Sequence, residues 1–401
     1  MDGTARLPGV APGVGVQLED RQHGSASAAV VTEHAAFEDL AEAWDDLWSR
    51  SPSATPFQAH AWVSAWATAY VRAGDLVVVT VRDGDVLVAG AALHRVRRGV
   101  VRVLAPLGGE ISDHTDVLLD PAVPDAGRRL AEALLQVPGW RVLDLPEVLP
   151  DAAARHWAEQ WPGGVRRSEA SVNLQIPVLP VADALTRLPA KTAGTLRRKL
   201  RKIDQLGVQR SEVAPADVPR AVADLIRLHE DQWQGRRGNP EHLVDRFHTH
   251  LANAVAPMID RGQAVFVEYH VDGELLASEI DLIGHGRLDY YLAGISTALR
   301  QRIDTAVLLV GSALERATQL ELEHYSFLRG TEDYKYRWRP DEVVATRIML
   351  ARPGLLRSAG YFTASAVSQY ALSTGRRVLH GRPREVARAV MHGLRTLRAR
   401  S

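Results

Sequence analysis

The chain has 401 residues, 46% of them apolar, with 48 basic and 48 acidic side chains and no cysteine. Such a length exceeds what one hydrophobic core usually serves, so two packed domains are expected. Balanced charge gives no global pull toward nucleic acid or membrane, and the lack of thiols excludes disulfides, thiolate nucleophiles and sulfur-ligated zinc.

Residues 1–27 are rich in Gly, Ala and Pro and read as a disordered leader. No basic segment followed by an apolar run stands there, so no signal peptide is expected. Nor does any stretch reach the ~20 consecutive apolar residues of a membrane helix. A cytoplasmic location is therefore expected. Phe37 to Trp48 repeats apolar residues at helical spacing, and a second helix from Ala59 to Val71 carries Trp62, Trp66 and Tyr70 on one face as core. Two β-branched runs, Leu76 to Val81 and Val86 to Leu93, flank Arg82-Asp83-Gly84-Asp85, a strong hairpin signal. Further strands are expected at Val100 to Leu104, Asp116 to Leu119 and Trp140 to Leu145, with a helix from Asp125 to Leu135.

The second half repeats this grammar. Helices are expected from Ala193 to Leu206, Val218 to Gln234 and His242 to Ala254. A hairpin follows through Asp272-Gly273, then a strand from Leu288 to Ala293, a helix from Thr305 to Leu320 and a strand from Tyr325 to Leu328. Recurrence of architecture at one domain length suggests duplication. The domains are placed at 28–170 and 171–345, with an Arg-rich tail at 346–401. From Arg352 onward the tail holds ten arginines against one acid, Glu385. Residues 384–398 read as a basic amphipathic helix, packed on the domain or touching a membrane surface or an acidic partner.

The densest cluster of charged and aromatic residues is Phe327-Leu328-Arg329-Gly330-Thr331-Glu332-Asp333-Tyr334-Lys335-Tyr336-Arg337-Trp338. A strand leaves the core here and opens, through a glycine turn, into polar groups that a rigid sheet can fix. Read from residues alone, it is either a site or a seam of ion pairs and aromatics between the domains.

This run resembles the signature of the GNAT-like acetyltransferases linked to cellulose and exopolysaccharide biosynthesis (CelD/BcsL type). Weaker likenesses accompany it. They are Arg197-Arg198-Lys199-Leu200-Arg201-Lys202, the Gly273-Glu274 hairpin, Tyr290-Tyr291-Leu292-Ala293-Gly294, Thr55-Pro56-Phe57-Gln58, and Leu107-Gly108-Gly109 with Ser112-Asp113. The resemblance implies an α/β (α+β) fold of two tandem GNAT-like domains, each a mixed, mainly antiparallel sheet flanked by helices, as in Fem-type aminoacyltransferases. It implies direct transfer of an acetyl or other short acyl group from acyl-CoA to an amine or hydroxyl, on an envelope or exopolysaccharide precursor.

Acetyl-CoA would be the co-substrate, its pyrophosphate at a helix N-terminus. The matching loop runs from Gly294 to Thr305, with Arg300 and Arg302 as phosphate partners. The chain departs from the family there, because Asp304 caps the helix and a carboxylate opposes a pyrophosphate. Glu279 and Asp281 share a sheet face, lining a cleft as candidate bases or simply facing solvent, and Glu268 and Asp289 are weaker candidates. Lys335 is the candidate oxyanion donor, with Tyr334 beside it; its alternative is an ion pair with Glu332 or Asp333. Arg329, Glu332, Trp338 and Tyr291 complete the expected substrate contacts.

His242, His248 and His250 fall along one expected helix, but His248 and His250 are two apart and do not share a face, so no metal is expected. Trp233 and the basic run through Gly238 read as a surface connection that could close over an acceptor. Five basic groups in the helix Ala193 to Lys202 suit phosphates or solvent. No DNA partner is expected. Two rival readings stand beside acyl-CoA transfer: a Fem-type transferase using aminoacyl-tRNA, and a catalytically silent GNAT-like binding module.

Overall fold

The computed structural model describes residues 26–233 and 240–354. The leader up to residue 25, residues 234–239 and the tail beyond 354, with its expected helix, lie outside the described residues.

Thirteen strands occur in the described residues: β1 Ala26–Val31, β2 Leu76–Asp83, β3 Val86–Arg98, β4 Val101–Pro106, β5 Leu118–Leu119, β6 Val142–Val148, β7 Val165–Pro177, β8 Gln209–Glu212, β9 Ala264–Val271, β10 Glu274–Gly284, β11 Arg287–Ile295, β12 His324–Arg329 and β13 Asp341–Ala351. They form one mixed sheet in the order β1-β2-β3-β4-β6-β13-β7-β12-β11-β10-β9-β8, with β5 paired to β3. Both hairpins foreseen from Asp-Gly are present. Between β9 and β10, Asp272 and Gly273 take φ of 53° and 81°, the positive values a two-residue turn of this hand needs.

The two halves of the sheet have the same plan. Three antiparallel pairings link β1 to β4 and β8 to β11. A parallel pairing then joins β4 to β6 and β11 to β12, and an antiparallel strand closes each half. The closing strands are exchanged. β7 follows β6 in the chain but pairs with β12, whereas β13 follows β12 but pairs with β6. The two exchanged strands also pair with each other, from Asp341–Gln175 to Leu350–Val165. Sequence reading assigns no strand to either stretch, and the expected boundary at 170/171 falls inside β7.

Helices cover both faces. On one face a single core runs through both halves, with Trp44, Phe57, Trp62, Phe247, Phe266 and Leu328 in it. The helices His60–Tyr70 and Asp245–Asp260 meet there. On the other face each half has its own core. Leu130, Trp157 and Leu350 belong to the first, and Leu308, Tyr325, Phe327 and Trp338 to the second. Trp62 and Trp66 are buried as expected.

Candidate functional site

β11 and β12 pair only from Arg287–His324 to Asp289–Ser326, and then diverge. Two local features open this wedge. In β11, Ile280 faces Leu292 and Asp281 faces Tyr290, so Tyr291 is the extra residue of a bulge. In β12, Leu328 takes φ of 56°, and pairing with β7 jumps from Ser326–Gln175 to Arg329–Asn173. A non-glycine residue in that region is strained, and such strain concentrates at functional sites. The first half has the same device: β4 and β6 pair only at Val103–Val142 and Leu104–Leu143, and Glu147 takes φ of 54°. There the chain occupies its own gap, because Thr115 donates its N–H to Glu147 O and Trp62 Nε1 donates to Ser112 Oγ.

Around the second wedge, Gly294 ends the bulged segment of β11 against the helix Val218–Trp233. Beyond it lies the loop read as the phosphate site. Ser296 caps the short helix Thr297–Arg302, accepting from Leu299 N at 3.2 Å. Arg300 donates to Gln232 O at 3.4 Å and Thr297 Oγ1 at 2.9 Å, while Arg302 is exposed. Asp304 caps the helix Thr305–Gln319, whose first residue, Thr305, is half-buried. Lys199 and Arg337 both bind the Asp304 carboxylate, Arg337 at 2.9 Å. Burial opposes its ionisation, but these two cations and Val307 N–H hold the carboxyl below its ordinary value. Sequence reading places neither cation at this helix start, because they come from elements far apart in the chain.

The turn after β12 is built around Lys335. Gly330 takes φ of 113°, and Lys335, only 3% exposed, donates to Arg329 O at 2.8 Å and pairs with Glu332 at 2.8 Å. The ion pair with Glu332 is thus the alternative realised, and the lysine braces the turn. Trp338 is a core residue of the second half, not an exposed substrate contact, and Tyr334 packs half-buried beside that core. Burial first, and Glu332 second, raise the Tyr334 hydroxyl above its ordinary pKa. Replacing Lys335 with Met is expected to lower stability by about 2–3 kcal/mol in chemical denaturation, the cost of removing a buried charged donor from Arg329 O and Glu332. Lost turnover at unchanged stability would instead show the lysine acting on substrate.

Glu279 and Asp281 do share a face, yet that face is neither a cleft wall nor solvated. Both are fully buried beneath the helix Thr305–Gln319, whose Arg316 reaches Asp281 at 2.7 Å and Glu279 at 3.8 Å. Tyr269 donates its hydroxyl proton to Glu279. Burial, reinforced by neighbouring carboxylates, pushes Glu279 up to about 8 and Asp281 up to about 6. Glu268 is buried too and pairs with Arg220 at 2.8 Å. Asp289 alone of the four stands at the base of the wedge, on Arg287 at 3.1 Å.

The first half forms a wall of this wedge. Arg329 binds Asp113 and donates to Glu110 O at 3.0 Å, with Glu147 at 3.9 Å. Tyr291 donates its hydroxyl proton to Ile111 O at 3.2 Å. His114 and Asn173 meet at 3.2 Å. His114, Asn173 and Arg287 escape sequence reading because no shared motif or spacing links them. Elsewhere, His250 stacks edge-on to Trp62 with ring centroids 4.5 Å apart. Among the described residues, no group of three or more His, Cys, Asp or Glu is placed to hold a metal ion.

Residues 190–336 match the family model described as an acetyltransferase (GNAT) domain. No curated protein matches the chain. Among solved structures, FemX aligns with a TM-score of 0.56 at 10% identity, over 77% of this chain and 95% of that one. L-PGS from Bacillus licheniformis aligns with a TM-score of 0.51 at 11% identity, over 79% and 94%. A conserved protein of unknown function from Bacteroides thetaiotaomicron VPI-5482 gives 0.50 at 12%, over 80% and 99%. At these identities the likeness is one of fold. Residues 190–336 are therefore similar to GNAT acetyltransferase domains, set in a two-half scaffold similar to that of FemX.

Proposed function

We propose that the protein is an acyltransferase whose transfer centre is the wedge between β11 and β12. It moves an acetyl or another short acyl group from acyl-CoA to an amine or hydroxyl. The bulge at Tyr291 carries this reading, because it marks where β11 and β12 part, their pairing ending at Asp289–Ser326. A strand N–H aimed into a water-poor crevice is a preorganised donor for a developing oxyanion. Transfer is direct: the acceptor atom bonds to the acyl carbon, the carbon–sulfur bond breaks, and the acceptor proton leaves to a base. The likeness of Phe327-Leu328-Arg329-Gly330 and its downstream run supports an envelope or exopolysaccharide precursor as acceptor, met in the cytoplasm.

Titration calorimetry with acetyl-CoA tests the donor. Binding tighter than about 1 mM is expected, within the usual range for enzyme substrates. Thiol release then reports turnover without protein background, since the chain has no cysteine. No measurable heat would remove acyl-CoA as donor. Asp304 favours a second reading in that event, because a paired carboxylate already sits where a pyrophosphate would meet the helix. Exposed Arg197, Arg198, Arg201 and Lys202 would then suit an aminoacyl-tRNA donor of Fem type, and salt-sensitive tRNA binding would be its mark.

A further inference from the structure

A second recess lies in the first half, on the face of the sheet covered by the helix Ala126–Gln136. Leu93 of β3 and Leu104 of β4 are buried in the core on that face. Side chains alternate along a strand, so Arg95 and Arg97 share the side of Leu93, and Arg102 that of Leu104. The register sets Arg97 directly opposite Arg102, and Arg95 opposite Leu104. The helix ends at Gln136, and the chain turns through Gly139 and Trp140 into β6. Here the core gives way to a groove of about 490 Å³, whose lining includes Asp75, Arg95, Arg97, Arg102, Gly139 and Trp140. Arg102 closes on the turn: a Cβ on Gly139 would stand 3.7 Å from Arg102 Nη1. The groove has room for a small molecule. It is apart from the wedge, because β6, β13, β7 and β12 stand between β4 and β11.

The charges of this lining do not balance. Arg95 is half-buried and donates to Gly74 O at 3.1 Å; burial opposes its charge, and Asp75 favours it. Arg97 and Arg102 are exposed, and among the described residues neither has a carboxylate at ion-pair distance. Arg98, between them in the chain, faces the other side of the hairpin and does have an acid, Asp144 at 3.3 Å. Like charges directly opposite each other in a sheet repel and cost stability. A chain that keeps such a pair without a counter-ion of its own leaves a place for a foreign one. Among the described residues the lining holds three guanidiniums against one carboxylate, a surplus of two positive charges. A carboxylate ligand brings one negative charge and two oxygens. A phosphate group brings close to two charges and three oxygens, one for each guanidinium.

We propose that this groove binds the phosphate group of an anionic ligand, held by the Arg97–Arg102 pair with Arg95 beside it. Guanidinium forks match phosphate oxygens in geometry, and three of them on adjoining strand positions suit one compact group. The site takes nothing from the wedge and stands whether or not acyl-CoA is the donor. It gives a binding role to the first half, whose own gap is closed through Thr115 and Ser112. A soluble phosphate ester and a lipid headgroup present the same chemistry to it.

The test uses the full chain, with inorganic pyrophosphate as the soluble probe and vesicles as the lipid one. Calorimetry is expected to show pyrophosphate binding that weakens about tenfold or more in Arg97→Gln/Arg102→Gln, the scale of lost hydrogen bonds to a charged group. Without ligand, the double variant is expected to melt at or above the wild-type temperature, since a repelling pair is gone. A lower melting temperature would show the pair supporting the fold and overturn the argument for a missing counter-ion. Sedimentation with phosphatidylcholine vesicles, with and without phosphatidic acid, separates the two sources. Retention that needs phosphatidic acid and is lost in the double variant identifies a lipid headgroup; pyrophosphate binding without retention identifies a soluble phosphate. Neither binding nor retention by the wild type, or either one undiminished in the double variant, would overturn the site. Succinate bound as tightly as pyrophosphate would overturn the choice of phosphate.

Discussion

Replacing Arg316 with Met is expected to lower stability by about 3–5 kcal/mol, because it breaks a buried ion cluster from one side only. Arg316 is the cation within reach of both Glu279 and Asp281 under the helix Thr305–Gln319. Without it two carboxyl groups remain in a low-dielectric site, both disfavoured by burial, Glu279 also by Asp281 and Asp281 also by Asp289. Urea denaturation measures the loss. Adding Glu279→Gln and Asp281→Asn to the Met variant should recover much of it, since no buried acid is then left without its cation. A Met variant as stable as wild type would mean that both carboxyl groups are already neutral in the folded protein.

The same cluster sets a pH dependence whose sign is fixed. Both groups titrate above the ordinary carboxylate range when folded, so the folded state holds more protons than the unfolded chain. Their contribution to stability is complete below that range and is lost as pH rises through about 6 for Asp281 and about 8 for Glu279. Buried histidines such as His250, held down to about 3, act in the opposite sense as pH rises toward their ordinary value. Comparing wild type with Glu279→Gln isolates the carboxylate part. The variant should lose less stability between mild acid and mild alkali.

Gly294 should tolerate no side chain. A Cβ there would lie 2.4 Å from Leu225 O and 2.8 Å from His229 N, both backbone atoms of the covering helix. A flexible side chain could turn away, whereas a helix backbone must move as a body. Gly294→Ala is expected to cost about 3 kcal/mol, the upper range for overpacking, and Gly294→Val to abolish folding. Thermal denaturation and soluble yield provide the readout. A stable Gly294→Ala protein would show that the helix slides freely, and that glycine is not required by this close approach.

The two hairpins, the aromatic core and the cap at Asp304 were legible because each is a local signal. Asp272-Gly273 demands one turn geometry, and Asp304 accepts from Val307 N within its own helix turn. The exchanged strands were not legible. β7 begins Val-Arg-Arg-Ser-Glu, too polar to announce a central strand, and its burial comes from neighbours distant in the chain. Alternation placed Glu279 and Asp281 on one face correctly, but nothing in β10 tells what covers that face. A signal did exist in the covering helix: Ser312 and Arg316 are four apart within an apolar run, so a cation faces inward. The family resemblance singles out Lys335, but its role in bracing the turn depends on where Arg329 O points, which sequence does not encode locally.

The crossed closing strands bear on how such a chain could arise. Each half completes its sheet with a segment that the other half's chain order supplies, the connectivity of a domain-swapped homodimer whose copies have been joined end to end. Fusion of that kind turns an equilibrium between subunits into a permanent covalent union. It also frees one copy to abandon its own gap, closed here through Thr115 and Ser112, while the other keeps a parted one.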